Sequence, residues 1–129
     1  MTFSYKMSKY ILFVDDDKDL VGTSSRLIEL FKRDTEPAYT GTEALEKVKH
    51  GNYELVILDI KLPDMSGLEV VKRIREFNSK INIVLITGHP EFKDAIDSLE
   101  YNIEEILIKP IAPSELLRVV NDYTGPISE

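Results

Sequence analysis

The stretch ILFVDDDKD, Ile11–Asp19, runs four apolar residues straight into three consecutive aspartates, with a fourth acid two residues on. A short, unbroken apolar run has the character of a strand buried on both faces. Carboxylates packed this tightly repel one another, so such a cluster at a strand end needs a reason. The same design recurs along the chain. Leu55-Val-Ile-Leu58 ends in Asp59, Ile81–Ile86 ends in Thr87-Gly88, and Ile106-Leu-Ile108 ends in Lys109-Pro110.

Between these runs the apolar residues change to helical spacing. Tyr10–Val14 is followed by Leu20, Leu27, Ile28 and Phe31; Thr35–Tyr39 is a weaker, more polar strand. Thr40 opens a second helix with Glu43 three residues on, the pattern of a capping box. Its apolar face is Ala44, Leu45 and Val48, and Gly51 ends it. Ser66 and Glu69 repeat that pattern ahead of Val70, Val71, Ile74 and Phe77. Phe92, Ala95, Ile96 and Leu99 recur at i, i+3, i+4 and i+7, which predicts a fourth helix. Pro113 and Ser114 open the last, carrying Leu116, Leu117 and Val120, and Thr124–Glu129 reads as loop. Five β–α units in strict alternation imply an α/β fold, a parallel sheet with helices on both faces. Right-handed crossovers leave few topologies.

The 129 residues fit one domain. At 43% hydrophobic and 30% charged the chain is globular rather than disordered. It has no cysteine, which excludes disulfides, zinc–thiolate sites and thiol catalysis. A net charge of −7 argues against a nucleic-acid footprint and against docking on an anionic membrane. No apolar run approaches a membrane span, and Tyr10–Val14 is too short for a secretion signal and ends in acids. The expectation is a cytoplasmic protein with no direct nucleic-acid or membrane partner. Met1 and Met7 both precede the first strand.

Ligands of parallel α/β sheets sit at the carboxyl ends of the strands. That edge would gather Asp15, Asp16, Asp17, Asp59, Thr87, Gly88 and Lys109. Three carboxylates there would repel unless a cation lay among them. A hard divalent ion such as Mg²⁺ (or Mn²⁺) takes oxygen ligands and keeps positions open for water and phosphate. Lys109 adds a positive charge and Thr87 a hydroxyl donor, which makes a pocket for a dianionic group beside Asp59. A carboxylate so placed can act as nucleophile on a phosphoryl group. The metal and the lysine would neutralise charge on the transferring oxygens.

The segments ILFVDDD, VILDIKLPDMSGLE, VLITGH and LIKP, in this order and each at the end of a predicted strand, resemble the receiver domain of two-component response regulators. The resemblance covers roughly residues 9–122, leaving 1–8 as an N-terminal extension and 123–129 as a C-terminal tail. It implies a flavodoxin-like, doubly wound (βα)5 fold with a five-stranded parallel sheet in the order 2-1-3-4-5. It implies that Asp59 accepts a phosphoryl group, from a sensor histidine kinase or a phosphotransfer protein, with Mg²⁺. Asp15 and Asp16 would form the acidic pair, Asp16 binding the metal directly and Asp15 through water. The backbone carbonyl of Lys61 would be a further ligand. Thr87 and Lys109 would bond phosphoryl oxygens, the peptide before Pro110 would be cis, and Pro63 and Gly67 would shape the loop after Asp59. The module would catalyse its own phosphorylation and dephosphorylation without being a turnover enzyme. It would switch a face made of helix four, strand five and helix five toward a downstream protein or output domain. A monomer or weak homodimer is expected.

Several positions depart from the family pattern or adjust it. Ile106 stands where the family places Tyr or Phe, so the aromatic half of its activation switch is in question. Asn102-Ile103 replaces the usual Gly-Ala before strand five, and Gly88 keeps access to the phosphoryl group open. Lys61 and His89, each two residues beyond a site residue, are expected to shield the phospho-aspartate and lengthen its life.

Other readings weigh on single residues. Asp17 and Asp19 fit a helix start, where acids favour the dipole. His50 suits a helix C-terminus, and His89 reads better as a solvated loop histidine than as a catalytic base. The acids Glu91, Asp94, Asp97, Glu100, Glu104 and Glu105 are most simply a solvated face, repelling acidic partners or attracting basic ones. Two competing functions differ in class. A receiver-fold interaction module that does not switch is favoured only by Ile106. An aspartyl-phosphate phosphatase of the haloacid dehalogenase type would need an acid two residues after Asp59, where Lys61 stands. The few residues after Val120 hold no helix-turn-helix or catalytic domain.

Overall fold

The computed structural model describes residues 10–126. Five strands alternate with five helices: β1 Tyr10–Val14, α1 Lys18–Leu30, β2 Thr35–Ala38, α2 Gly41–His50, β3 Tyr53–Asp59, α3 Gly67–Phe77, β4 Asn82–Thr87, α4 Lys93–Asp97, β5 Glu105–Ile108 and α5 Pro113–Tyr123. The strands are parallel throughout and lie in the order β2-β1-β3-β4-β5. This is the expected doubly wound architecture.

The sheet is apolar on both faces because each face has its own core. Leu12, Val14, Val56, Leu58, Ile83, Leu85 and Ile106 pack on one side with Ala44, Val48, Val70, Val71, Ile74 and Ile96, so α2, α3 and α4 cover it. Ile11, Phe13, Leu55, Ile57, Val84, Ile86 and Leu107 pack on the other with Val21, Ile28, Leu116 and Val119, so α1 and α5 cover that face. Alternate residues of one strand thus belong to different cores, which is why the strands read as unbroken apolar runs. Each fully buried side chain of this size contributes about 1.5–3 kcal/mol through removal from water.

Helix starts are set by local oxygen acceptors. Asp17 accepts the Leu20 N–H at 3.1 Å. Thr40 accepts the Glu43 N–H at 3.0 Å, and Glu43 reaches back to the Tyr39 N–H at 2.8 Å. Ser66 accepts the Leu68 N–H at 3.1 Å, but Glu69 turns to Arg73 at 2.9 Å, so the second capping box is only half made.

The fourth helix corrects the sequence reading. A 3₁₀ turn, Pro90–Phe92, precedes an α4 of only five residues. Phe92 and Leu99, expected on its buried face, are 50% and 41% exposed, and of the expected stripe only Ile96 is buried. Pro90 sets the tight first turn, and the Phe92 ring turns outward against His89, with centroids 5.5 Å apart. Phe31 and Phe77, at the ends of α1 and α3, are likewise exposed. The connection from α4 into β5 is pinned by Arg75. Its guanidinium donates to the Ile81 carbonyl at 2.7 Å and the Asn102 carbonyl at 2.6 Å, and lies 3.6 Å from Glu104. Burial lowers the Arg75 pKa and the Glu104 carboxylate opposes that effect. Asn102 takes a left-handed φ of 57°, which asparagine tolerates better than most residues.

After α5 the chain runs as loop from Thr124, as expected, and that loop is tied to the body of the fold. The Gly125 carbonyl accepts from Arg33 at 2.6 Å and its N–H donates to Glu54 at 2.7 Å. The predicted N-terminal extension and the last three residues of the tail lie outside the described residues.

Candidate functional site

The carboxyl ends of β1, β3, β4 and β5 converge at one edge, and the topology alone brings these distant residues together. Asp15 follows β1 and is fully buried; Asp59 ends β3 at 6% exposure; Thr87 ends β4 at 2%. Asp16 is exposed beside them. Oxygens of Asp15, Asp16 and Asp59 lie within 4.8 Å of one another.

Lys109, just past β5, stands between two of these acids. Its Nζ donates to Asp59 Oδ2 at 2.9 Å. The same Nζ lies 2.9 Å from Asp15 Oδ2, close enough to pair but not aligned as a hydrogen bond. Burial alone would lower the lysine pKa; the Asp59 hydrogen bond and the charges of Asp59 and Asp15 outweigh it and hold the ammonium above its ordinary value. Asp15 goes the other way for a carboxylate. Burial pushes its pKa up, the Asp17 N–H at 3.0 Å and Lys109 pull it down, and burial prevails.

The remaining polar groups are held by backbone. Asp59 Oδ1 accepts the Lys61 N–H at 3.1 Å, and Thr87 Oγ1 accepts the His89 N–H at 3.0 Å. Lys109 N–H donates to the Thr87 carbonyl at 2.8 Å, which fixes the lysine against β4. The Lys109–Pro110 peptide is cis. Gly67 N–H closes the loop after Asp59 by donating to the Ile60 carbonyl at 2.6 Å. A Cβ on Gly67 would lie 2.4 Å from the Asp59 carbonyl oxygen, so that approach requires glycine. Gly88 faces open space, with nothing within 4 Å of an added Cβ.

This donor set fits a hard divalent cation. Three carboxylates face one ammonium, and Asp15 Oδ2 is a buried oxygen with no aligned donor. Oxygen-only ligands of this charge suit Mg²⁺ rather than a softer metal.

A cavity of about 500 Å³ opens beside Asp59, Thr87 and Lys109 and runs to Leu62, Met65 and Phe92. Lys61 and His89 border it, both exposed, with His89 Nδ1 3.5 Å from Glu91. Ile106 does not line it; at 9% exposure it packs into the core on the α4 side, opposite Leu85 in the sheet register. Pro63 is exposed in the loop after Asp59. Sequence reasoning missed Leu62, Met65 and Phe92 as cavity residues, since apolar residues in a loop carry no signal of what they face. It also passed over Asp64, whose partners lie 22 and 23 positions away.

Residues 11–121 match the response regulator receiver domain family. A Haemophilus influenzae protein described as a transcriptional regulatory protein CpxR homolog is 39% identical over 111 residues, 86% of this chain and 48% of that protein. The chain spans about half the length of the curated relatives it matches. A CheY-like receiver domain protein from Methanospirillum hungatei superposes with a TM-score of 0.83 at 29% identity, covering 89% of this chain and 92% of that one. TrrA from Thermotoga maritima, solved in complex with Mg²⁺–BeF, gives 0.81 at 33% identity, covering 90% and 99%.

Proposed function

The chain belongs to the response regulator receiver domain family, and from that premise we propose that Asp59 accepts a phosphoryl group from a phosphohistidine on a sensor histidine kinase or phosphotransfer protein. One observation carries the reading: the Lys109 ammonium holds Asp59 Oδ2 at 2.9 Å within a cluster that also gathers Asp15 and Asp16. An Asp59 oxygen attacks phosphorus. The P–N bond breaks, its electron pair returns to the imidazole, and an O–P bond forms.

Lys109 is already in place to follow the charge onto a phosphoryl oxygen. The Thr87 oxygen is occupied by the His89 N–H, which leaves the hydroxyl proton free to donate to another. Such preorganised donors act where charge develops. Asp15, Asp16, Asp59 and the backbone carbonyl of Lys61 would hold Mg²⁺ (or Mn²⁺), which supplies positive charge against the phosphoryl oxygens. The TrrA complex with Mg²⁺–BeF supports that assignment by likeness. Gly88 leaves the approach open. The chain is then a signalling module that modifies itself, not a turnover enzyme, and its setting is the cytoplasm with its kinase. Among the described residues no helix is long and apolar enough to cross a membrane.

Phosphorylation would bias two states of the α4–β5–α5 face toward a downstream protein or output domain. Thr87 would carry that signal alone, because Ile106 has no ring to turn inward. Burial of Ile106 among aliphatic neighbours is also the observation that favours the second reading, an interaction module that does not switch.

Incubation with Mg²⁺ and acetyl phosphate, read by intact mass, should give one phosphoryl adduct. It should disappear without divalent ion and in Asp59→Asn. Persistence in Asp59→Asn would move the acceptor elsewhere. The exposed Lys61 and His89 at the cavity edge should slow water attack, so the double substitution to Ala should shorten the adduct's lifetime several-fold; an unchanged lifetime sinks the shielding role.

A further inference from the structure

We infer that Asp64 is a positioning residue for the proposed metal and phosphoryl site, a strut that locks the loop after Asp59 onto the start of α2. The inference rests on the reading above and goes beyond it. The base of that loop is closed by the Gly67–Ile60 hydrogen bond and by a bridge between Lys61 and Ser66. Its apex crosses to a different β–α unit. Asp64 Oδ1 accepts the Gly41 N–H at 2.8 Å, and Oδ2 accepts the Thr42 N–H at 2.9 Å and the Thr42 hydroxyl at 2.7 Å. These bonds hold the carboxyl at a pKa of about 2, the Thr42 hydroxyl contributing most.

The bonds are not needed to start the helix. α2 already has its own cap in Thr40, completed by Glu43. What Asp64 adds is attachment of the loop. Packing reinforces it: a Cβ on Gly41 would lie 2.5 Å from Met65 Cγ, so the loop apex sits directly on the helix start.

The attachment leads to the second acid-bearing loop. Three residues before Gly41, the Ala38 carbonyl accepts the Asp15 N–H at 3.0 Å. The segment from the end of β2 into α2 is therefore bonded at Ala38 to the backbone of the acidic pair and at Gly41 and Thr42 to the loop that carries Lys61. Asp64 closes this brace, which fixes the Lys61 carbonyl relative to Asp15 and Asp59. Ligand groups held before the ion arrives bind it with less ordering to be done.

The test is a Mg²⁺ titration followed through backbone amide NMR shifts, for the unaltered chain, Asp64→Ala, Thr42→Val and Val48→Ala. Thr42→Val removes one of the three bonds and keeps the fold if Asp64→Ala does not. Val48→Ala loosens the buried face of α2 away from the loop and controls for stability alone. Asp64→Ala should raise half-saturation about fivefold and Thr42→Val about twofold, with Val48→Ala unchanged. Equal half-saturation in the unaltered chain and the strut variants overturns the inference while leaving the proposed function standing. A shift in Val48→Ala as large as in Asp64→Ala also overturns it, because the effect would then be stability. If the unaltered chain shows no Mg²⁺ response, the proposed function falls and this inference with it.

Discussion

Asp64 and Asp15 are carboxylates whose surroundings act in opposite directions. Asp64 is exposed, but three donors hold it at a pKa of about 2. A carboxylate whose folded pKa lies below its unfolded value stabilises the fold above the unfolded value, about 3.9, and loses that contribution as pH falls through the folded one. The unaltered chain should therefore lose stability between about pH 4 and pH 2 through this group. Asp64→Asn should be less stable at neutral pH and show a shallower fall across that window, read as unfolding midpoint against pH. Parallel curves would remove Asp64 from the acid limb. Sequence showed Asp15, since acids at the end of an apolar run are conspicuous. It did not show what Asp64 does, because Pro-Asp-Met-Ser looks like any polar turn and its partners are remote.

At the level of elements, strands and helix caps read well and the fourth helix poorly. Central strands were legible because burial on two faces forbids polar residues there. Even so, β3 begins at the half-buried Tyr53 and β4 ends at the buried but polar Thr87, each past its apolar run, since the sheet's hydrogen bonds do not depend on apolar side chains. The period of Phe92, Ala95, Ile96 and Leu99 was real in sequence yet covers a 3₁₀ turn and a five-residue helix. Spacing gives a face but not whether another element lies against it. The joint between β3 and α3 is the tightest. Gly67→Ala should cost about 3 kcal/mol, because its Cβ would meet the Asp59 and Ile60 backbone at 2.4 and 2.7 Å and backbone cannot swing aside. Gly88→Ala, facing open space, should stay within about 0.5 kcal/mol of the unaltered chain. Urea unfolding of the pair checks both values, and equal midpoints would refute the packing argument.

For the whole molecule, the site is a local cost carried by the core. Asp15 is fully buried beside Asp59 with one ammonium between them, and its pKa is raised by that burial. Without divalent ion, Asp15→Asn should be more stable than the unaltered chain, because it removes a buried carboxylate whose charge is incompletely compensated. With Mg²⁺ at a hundred times its Kd the unaltered chain should gain about 2.7 kcal/mol and overtake the variant. Thermal unfolding in chelator and in Mg²⁺ measures both, and an order that never reverses would undo the metal assignment. The amino-acid sequence by itself determined the alternation of strands and helices, the two-faced sheet and the acids, threonine and lysine at strand ends, because period and burial are local properties of a chain. Tertiary structure alone decided that Lys109 stands between Asp15 and Asp59, that Gly67 must be bare, that Arg75 ties α3 to the entry of β5, and that Asp64 braces α2. Each depends on groups from different elements or loops reaching hydrogen-bond or contact distance, and no local pattern encodes that distance.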